Sequence, residues 1–287
     1  MGKAAAQLAV TQPAISKAIT DLEHVLGVPL LDRSRQGVEP TAYGTALLKW
    51  SVTVFDNLRQ GVDEIDFLAD PSAGELRIGT SEAMLQAPLP AVIDRLSRRY
   101  PRMVFSVLMS ANITAQYSDL RARKVDLVFG RLATSAIDED LNVEILCEDQ
   151  LRVVAGMNSK WQRRRKIEAA ELINELWALP PYDLLAGSIV KEAFRAKGLD
   201  PPRQAAMSNT LQLISAMVAT GRFLGVLSLS TLRLGGKSTA VKVLPVDLPM
   251  QRLTIAIVTL KGRSISPAAH LFIECAREIV KPLMKAV

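Results

Sequence analysis

Histidine and cysteine are nearly absent from this chain of 287 residues, with two of each. His24 and His270 have no paired nucleophile and no metal-ligand spacing, which leaves histidine-based catalysis and a metal site without a basis. Cys147 and Cys275 stand far apart with no CxxC. They argue against a zinc site or a disulfide framework and fit a reducing cytoplasm. Long hydrophobic runs are missing too. The longest apolar tract, Leu211 to Leu229, is broken by Gln212, Ser215, Thr220 and Arg222, so no membrane span is predicted. Lys3 followed by AAAQLAV is too short for a secretory signal and lacks a leucine-rich centre. Gly236-Lys237-Ser238 resembles the end of a phosphate loop, but Thr231 stands where the first glycine is required. Asn112-Ile113-Thr114 fits a glycosylation sequon with nothing else to indicate secretion. No cofactor and no metal are predicted.

A strong charge of one sign is also lacking. The net charge is +6, and residues 1–50 hold Lys3, Lys17, Arg33, Arg35 and Lys49 against Asp21, Glu23, Asp32 and Glu39. The densest basic run is Lys160, Arg163, Arg164, Arg165 and Lys166. It reads as a solvated loop after a strand, with a phosphate patch as the alternative.

What is present begins with Ala4 to Leu31, which reads as two helices joined by a short turn. Thr11 is an N-cap, with Pro13 early in the next helix, where a missing N–H costs little. Ile15, Ile19, Leu22 and Leu26 then recur at spacings of four, three and four, one helical stripe. The opposite face carries Gln12, Pro13, Ser16, Lys17 and Thr20, groups suited to base edges and phosphates. A helix-turn-helix offers its second helix to the major groove in this way. Leu30 to Val38 reads as a short hairpin whose Arg33 and Arg35 either reach DNA phosphates or are merely solvated.

Thr41 caps a predicted helix running to about Leu68, with Leu47, Val54, Leu58, Val62, Ile65 and Leu68 on one seam. Such a stripe calls for a partner helix, and self-association through it would pair two heads. Asp70 to Gly74 reads as a hinge. Strands then alternate with helices, which predicts an α/β body of parallel sheets built from βαβ units. The expected strands are Leu76–Gly79, Met103–Met109, Val125–Gly130, Leu151–Ala155, Phe223–Leu227 and Leu253–Leu260. Helices are expected around Leu89 to Leu96, over Ile113 to Arg123, near Ser188 to Lys197 and Asn209 to Thr220, and over Pro267 to Met284. The last strand and helix are read as returning to the first sheet. That divides the body, 73–287, into one subdomain of 73–150 with 250–287 and another of 151–249. A head of 1–40 and a linker of 41–72 precede it.

Ligands of open parallel sheets bind beyond the carboxyl ends of the strands. The candidates there are Thr80, Ser81, Ser110, Asn112 and Arg131 in the first subdomain, and Tyr182, Asn209 and Thr210 in the second. Each hydroxyl has helix capping as its alternative role, and Arg131 a solvated loop. Glu82 is an awkward neighbour for an anionic ligand, which keeps a neutral or hydroxylated compound in view.

The string AVTQPAISKAITDLEHVLGVPLLDRS, followed by Gly37, Val38 and Thr41-Ala42-Tyr43-Gly44, resembles the DNA-binding head of the LysR-type transcriptional regulators over about forty positions. The resemblance implies a winged helix-turn-helix, a linker helix and a two-subdomain effector-binding part similar to periplasmic binding proteins. It implies double-stranded operator DNA and a small-molecule effector as partners, and a homodimer or homotetramer in the cytoplasm. In the family another helix precedes these two. The expectation is therefore an incomplete head, in which Ala5, Leu8, Ile15, Ile19 and Leu22 lack part of their cover. The alternative function is a small-molecule binding protein whose head no longer grips DNA; an enzyme on this scaffold has no catalytic constellation behind it.

Overall fold

The computed structural model describes residues 2–34, 37–110, 112–132, 138–235 and 240–284. By internal contacts the chain forms two units, 1–61 and 62–287.

In the first unit, α1 (Gly2–Gln7) and α2 (Gln12–Leu26) pack together through a turn in which Ala9 takes a left-handed φ of 52°. The Thr11 hydroxyl accepts the Ala14 N–H, and Gly27 ends α2 in the left-handed region, φ 69°. Strands β1 (Leu31–Ser34) and β2 (Gly37–Pro40) form an antiparallel hairpin, the wing. The Glu23 carboxylate accepts the Leu30 and Leu31 N–H groups at 2.7 and 3.1 Å, fastening the hairpin to α2. Thr41 donates its hydroxyl to the Pro29 carbonyl and accepts from Gly44 N–H, which starts α3 (Ala42–Ala69). Glycine is required at 44, because a Cβ there would lie 2.1 Å from the Leu30 carbonyl oxygen.

The second unit runs from the end of α3 through β3 (Ala73–Thr80), α4 (Glu82–Leu85), α5 (Pro88–Arg99), β4 (Arg102–Met109), α6 (Ile113–Arg121), β5 (Leu127–Leu132) and β6 (Leu141–Asp149). It continues with β7 (Leu151–Gly156), β8 (Trp177–Leu179), α7 (Leu185–Arg195), β9 (Gln204–Met207), α8 (Leu211–Ala219), β10 (Leu224–Ser228), α9 (Leu229–Leu234) and β11 (Val241–Val243). It closes with β12 (Leu253–Leu260) and α10 (Pro267–Met284). The turn from α3 into the body is shorter than the expected hinge. Asp70 accepts the Ser72 N–H and hydroxyl, and β3 already begins at Ala73.

Two five-stranded sheets result, ordered β4-β3-β5-β12-β6 and β11-β7-β10-β8-β9. The expectation of parallel sheets needs correction. β12 runs antiparallel to both β5 and β6, and β7 antiparallel to both β10 and β11, so both sheets are mixed. Strand β6, absent from the sequence reading, follows β5 without an intervening helix among the described residues and pairs with β12 instead of a parallel neighbour. The closing strand and helix do return to the first sheet.

Alternation along the strands sorts side chains to two faces of each sheet. Leu127, Phe129, Ile255 and Ile257 face α5 and α10, with Phe129 meeting Phe272 edge-to-face, while Val128 and Val258 face α6. In the second sheet Trp177, Leu179, Leu224 and Val226 pack on α7, with Trp177 edge-to-face on Phe194; Val154 and Leu227 pack on α8. The central strands of each sheet are thus buried on both sides, as β-strands this apolar require, whereas edge strand β4 leaves Val104, Val107, Leu108 and Met109 exposed.

Candidate functional site

On α2, Gln12, Pro13, Lys17 and Thr20 are exposed and Ser16 is half-buried. The Thr20 hydroxyl donates to the Ser16 carbonyl at 3.0 Å. Ile15 and Ile19 on the opposite face are half-buried rather than fully covered, while Leu22 and Leu26 are exposed. The side chain of Arg33, and Arg35 altogether, lie outside the described residues.

The carboxyl ends of β3, β4 and β5 in one lobe and of β8, β9 and β10 in the other carry the second set. Thr80 is fully buried and donates its hydroxyl to the Phe129 carbonyl, so the structure takes it out of the ligand-facing set. Ser81 is half-buried and precedes α4 without making a capping bond, so its hydroxyl has no local duty. Ser110 donates to Asp119 at 2.7 Å, and that bond, followed by Lys124, holds the Asp119 carboxyl below the ordinary range. Asn112 caps α6 by accepting the Ala115 N–H. Tyr182 donates to the Pro202 carbonyl at 2.6 Å, and burial pushes its phenol up to about 12, so it acts as a neutral strut. Asn209 is exposed, and the Thr210 hydroxyl bonds Ser208 rather than capping α8.

Arg131 is not a solvated loop residue. Its side chain is 9 % exposed, and it donates to Asp149 at 2.7 Å, to Ser228 and to Ser230. Ser230 donates its hydroxyl to Asp149 at 2.6 Å, and its N–H bonds the same carboxylate. Arg131 belongs to the first sheet and Ser228 and Ser230 to the second lobe, while Asp149 sits where the chain crosses between them. Burial lowers the Arg131 guanidinium against the pull of Asp149. Burial also raises the Cys147 thiol to about 12, with Asp149 adding to it, so that thiol is unreactive.

A second tie joins the lobes. Glu82 of α4 accepts the Leu211 N–H, at the start of α8, at 2.8 Å. The sequence reading placed Glu82 beside a ligand without foreseeing this bond. Asp149, Ser228 and Ser230 it missed altogether, although Ser228-Leu229-Ser230-Thr231 closes an apolar strand and Asp149 marks the crossing.

The basic run forms a 3-10 turn, Lys160–Arg163, around a buried Trp161, whose ring lies under Lys160 at 5.3 Å and Arg164 at 5.7 Å. Lys160, Arg164 and Lys166 pair with Glu175, Glu171 and Glu168. A hollow of about 410 Å³ between Lys160, Trp161, Glu175 and Arg222 lies at the amino ends of β8 and β10, opposite the strand ends described above.

The head and the two-lobed body define a ligand-responsive, DNA-binding regulator, and the comparisons with known proteins agree. Residues 1–45 match the bacterial regulatory helix-turn-helix proteins of the lysR family, and residues 69–281 match the LysR substrate binding domain. The chain belongs to the LysR family of transcriptional regulators. It is 29% identical to the regulator GbpR of Azospirillum brasilense over 281 residues, covering 96% of this chain and 80% of that protein. A full-length OxyR variant from Pseudomonas aeruginosa superposes with a TM-score of 0.70 at 21% identity, covering 98% of this chain and 91% of that one. CbnR in complex with its target DNA superposes at 0.58 and 20% identity, covering 97% and 93%.

Proposed function

We propose that this regulator binds its effector between the two lobes of the body and operator DNA through the exposed face of α2. It works by binding rather than catalysis, in the cytoplasm and as a homo-oligomer, with residues 41–72 linking head to body. The observation that carries the effector site is the pair of ties between the lobes, Glu82 to Leu211 and Arg131–Asp149 to Ser228 and Ser230. Both lie at the carboxyl strand ends, where ligands of such sheets bind. A ligand there changes the setting of the lobes by as much as its affinities for the two settings differ. Ser81 and Asn209 are the polar side chains that face it, Ser110, Asn112, Tyr182 and Thr210 serving as its supports. On DNA, Gln12, Pro13, Ser16, Lys17 and Thr20 form the contact face, and Arg33 and Arg35 flank it on the wing. CbnR, a structural relative, is known in complex with target DNA.

Duplexes selected from a random pool by the full chain test the DNA face. Lys17→Ala should weaken binding across all selected sequences and lower the salt slope by about one unit, since one phosphate-neutralising charge is lost. An unchanged slope would show that Lys17 is only solvated.

A further inference from the structure

We infer that the hollow at the amino ends of β8 and β10 is a ligand site separate from the cleft, and that it takes a small organic monocarboxylate with an apolar body. Its walls come from chain segments packed backbone to backbone. A Cβ at Gly156 would stand 2.5 Å from the Val218 carbonyl oxygen and 2.7 Å from the Gly221 nitrogen. Gly221 in turn holds a φ of 78°, and a Cβ there would lie 3.1 Å from the Asn158 carbonyl carbon. The turn before β10 is thereby fixed against the turn after β7, and residues 174–176 form the third side. The space between them, about 410 Å³, falls within the roughly 300–1,000 Å³ of small-molecule pockets.

The acid in these walls is already taken. Glu175 accepts from Lys160 at 2.7 Å and from the Trp161 indole N–H at 3.3 Å. That bond balances the Lys160 charge, as Glu171 balances Arg164 beside the same ring. Arg222 borders the hollow, is exposed, and pairs with no carboxylate among the described residues. Ser159 is 8 % exposed; its oxygen accepts the Trp161 N–H, while its own proton finds no acceptor among the described residues. One uncompensated positive charge, a buried hydroxyl donor and the remaining N–H groups of Lys160 thus border one hollow. Charge-assisted hydrogen bonds from such a set go to an anion. A single uncompensated charge matches a carboxylate, whereas a phosphate brings nearly twice the charge. Leu176, 41 % exposed, and the buried Trp161 and Leu224 give a short hydrocarbon body an apolar wall that an inorganic anion would leave unused.

Isothermal titration calorimetry of the full chain tests this, with butyrate, hexanoate and phenylacetate as probes and their primary amides and inorganic phosphate as controls. At least one carboxylate should bind saturably, its amide and phosphate roughly tenfold or more weakly. Arg222→Gln changes an exposed side chain and leaves the core intact. It should weaken that carboxylate by about tenfold or more, and Ser159→Ala should weaken it by a smaller factor. Ser81→Ala and Asn209→Ala, in the cleft, should leave its affinity unchanged. No saturable carboxylate, an amide or phosphate that binds as tightly, or an affinity unmoved by Arg222→Gln overturns the inference. So does a carboxylate released by Ser81→Ala or Asn209→Ala but not by Arg222→Gln, which would put it in the cleft instead.

Discussion

In residues 2–45 the buried apolar side chains are Ala5 and Leu30, while Leu8, Leu22, Val25 and Leu26 stand open to solvent. Each lobe of the body instead encloses two clusters, one on either face of its sheet, around fully buried Phe129, Phe272, Trp177 and Phe194. What holds the head is mostly polar and local. Glu23 ties the wing, Thr11 and Thr41 cap two helices, and Gly44 permits a close backbone approach. Caps and side-chain bonds are worth about 1 kcal/mol each, whereas burying one large side chain is worth about 1.5–3 kcal/mol. The body therefore draws its stability from buried side chains, and the head chiefly from local bonds. Helix α3 belongs to the second case, since Trp50, Phe55, Leu58, Ile65 and Leu68 along it are exposed.

The sharpest way to break this comparison is to remove one large side chain from each region. Trp177→Ala, which also strips the donor bonded to the Leu172 carbonyl, should cost about 4 kcal/mol in denaturant unfolding of the body, and Leu22→Ala under about 1 kcal/mol. Equal costs would mean the head has a core of its own. Next in size is the buried ion pair between the lobes. Arg131→Met should destabilise by about 3 kcal/mol, because Asp149 is left charged and buried with only hydroxyl and backbone donors. A neutral outcome would show that the lobes hold together without it. On α3, replacing Leu58 and Ile65 together by Asp should give monomers in sedimentation, as two carboxylates cannot be buried in a seam without partners. A persistent oligomer would place the interface on the body.

The smallest effect is on pH. Burial works to raise the Asp126 carboxyl, but hydrogen bonds from Arg77 and the charges of Arg77 and Arg263 outweigh it and hold the pKa below its ordinary value. The stability this gives is present above the ordinary aspartate value of about 4 and is lost as pH falls through the lower folded value. Asp126→Asn should therefore flatten the acid limb of the body's unfolding profile; an unchanged limb would mean other carboxylates govern it.

Much of this was legible in the sequence, for reasons that also explain the gaps. Leu253–Leu260 and Pro267–Met284 were read to the residue because a run rich in β-branched residues and an amphipathic period are local signals. The helix-turn-helix, its Thr11 cap and the length of α3 were local in the same sense. Strand β6 was not visible, because LNVEILCED mixes charges among its apolar residues and its partner β12 lies more than a hundred residues on. Antiparallel pairing escaped for the same reason. At the candidate site, exposure of Lys17 and Asn209 followed from polarity and position. The fates of Thr80 and Arg131 did not, since Phe129, Asp149 and Ser228 are brought to them only by the sheets.

Hydrogen exchange of the full chain in the absence of DNA measures the difference between the two regions directly. The amides of β3, β5 and β12 should exchange only through global unfolding of the body, with those of α1 and α2 from Ala5 to Leu26 exchanging orders of magnitude faster and separately from them. Slow protection of Ala5 to Leu26, lost in step with the strands of the body, would contradict the account.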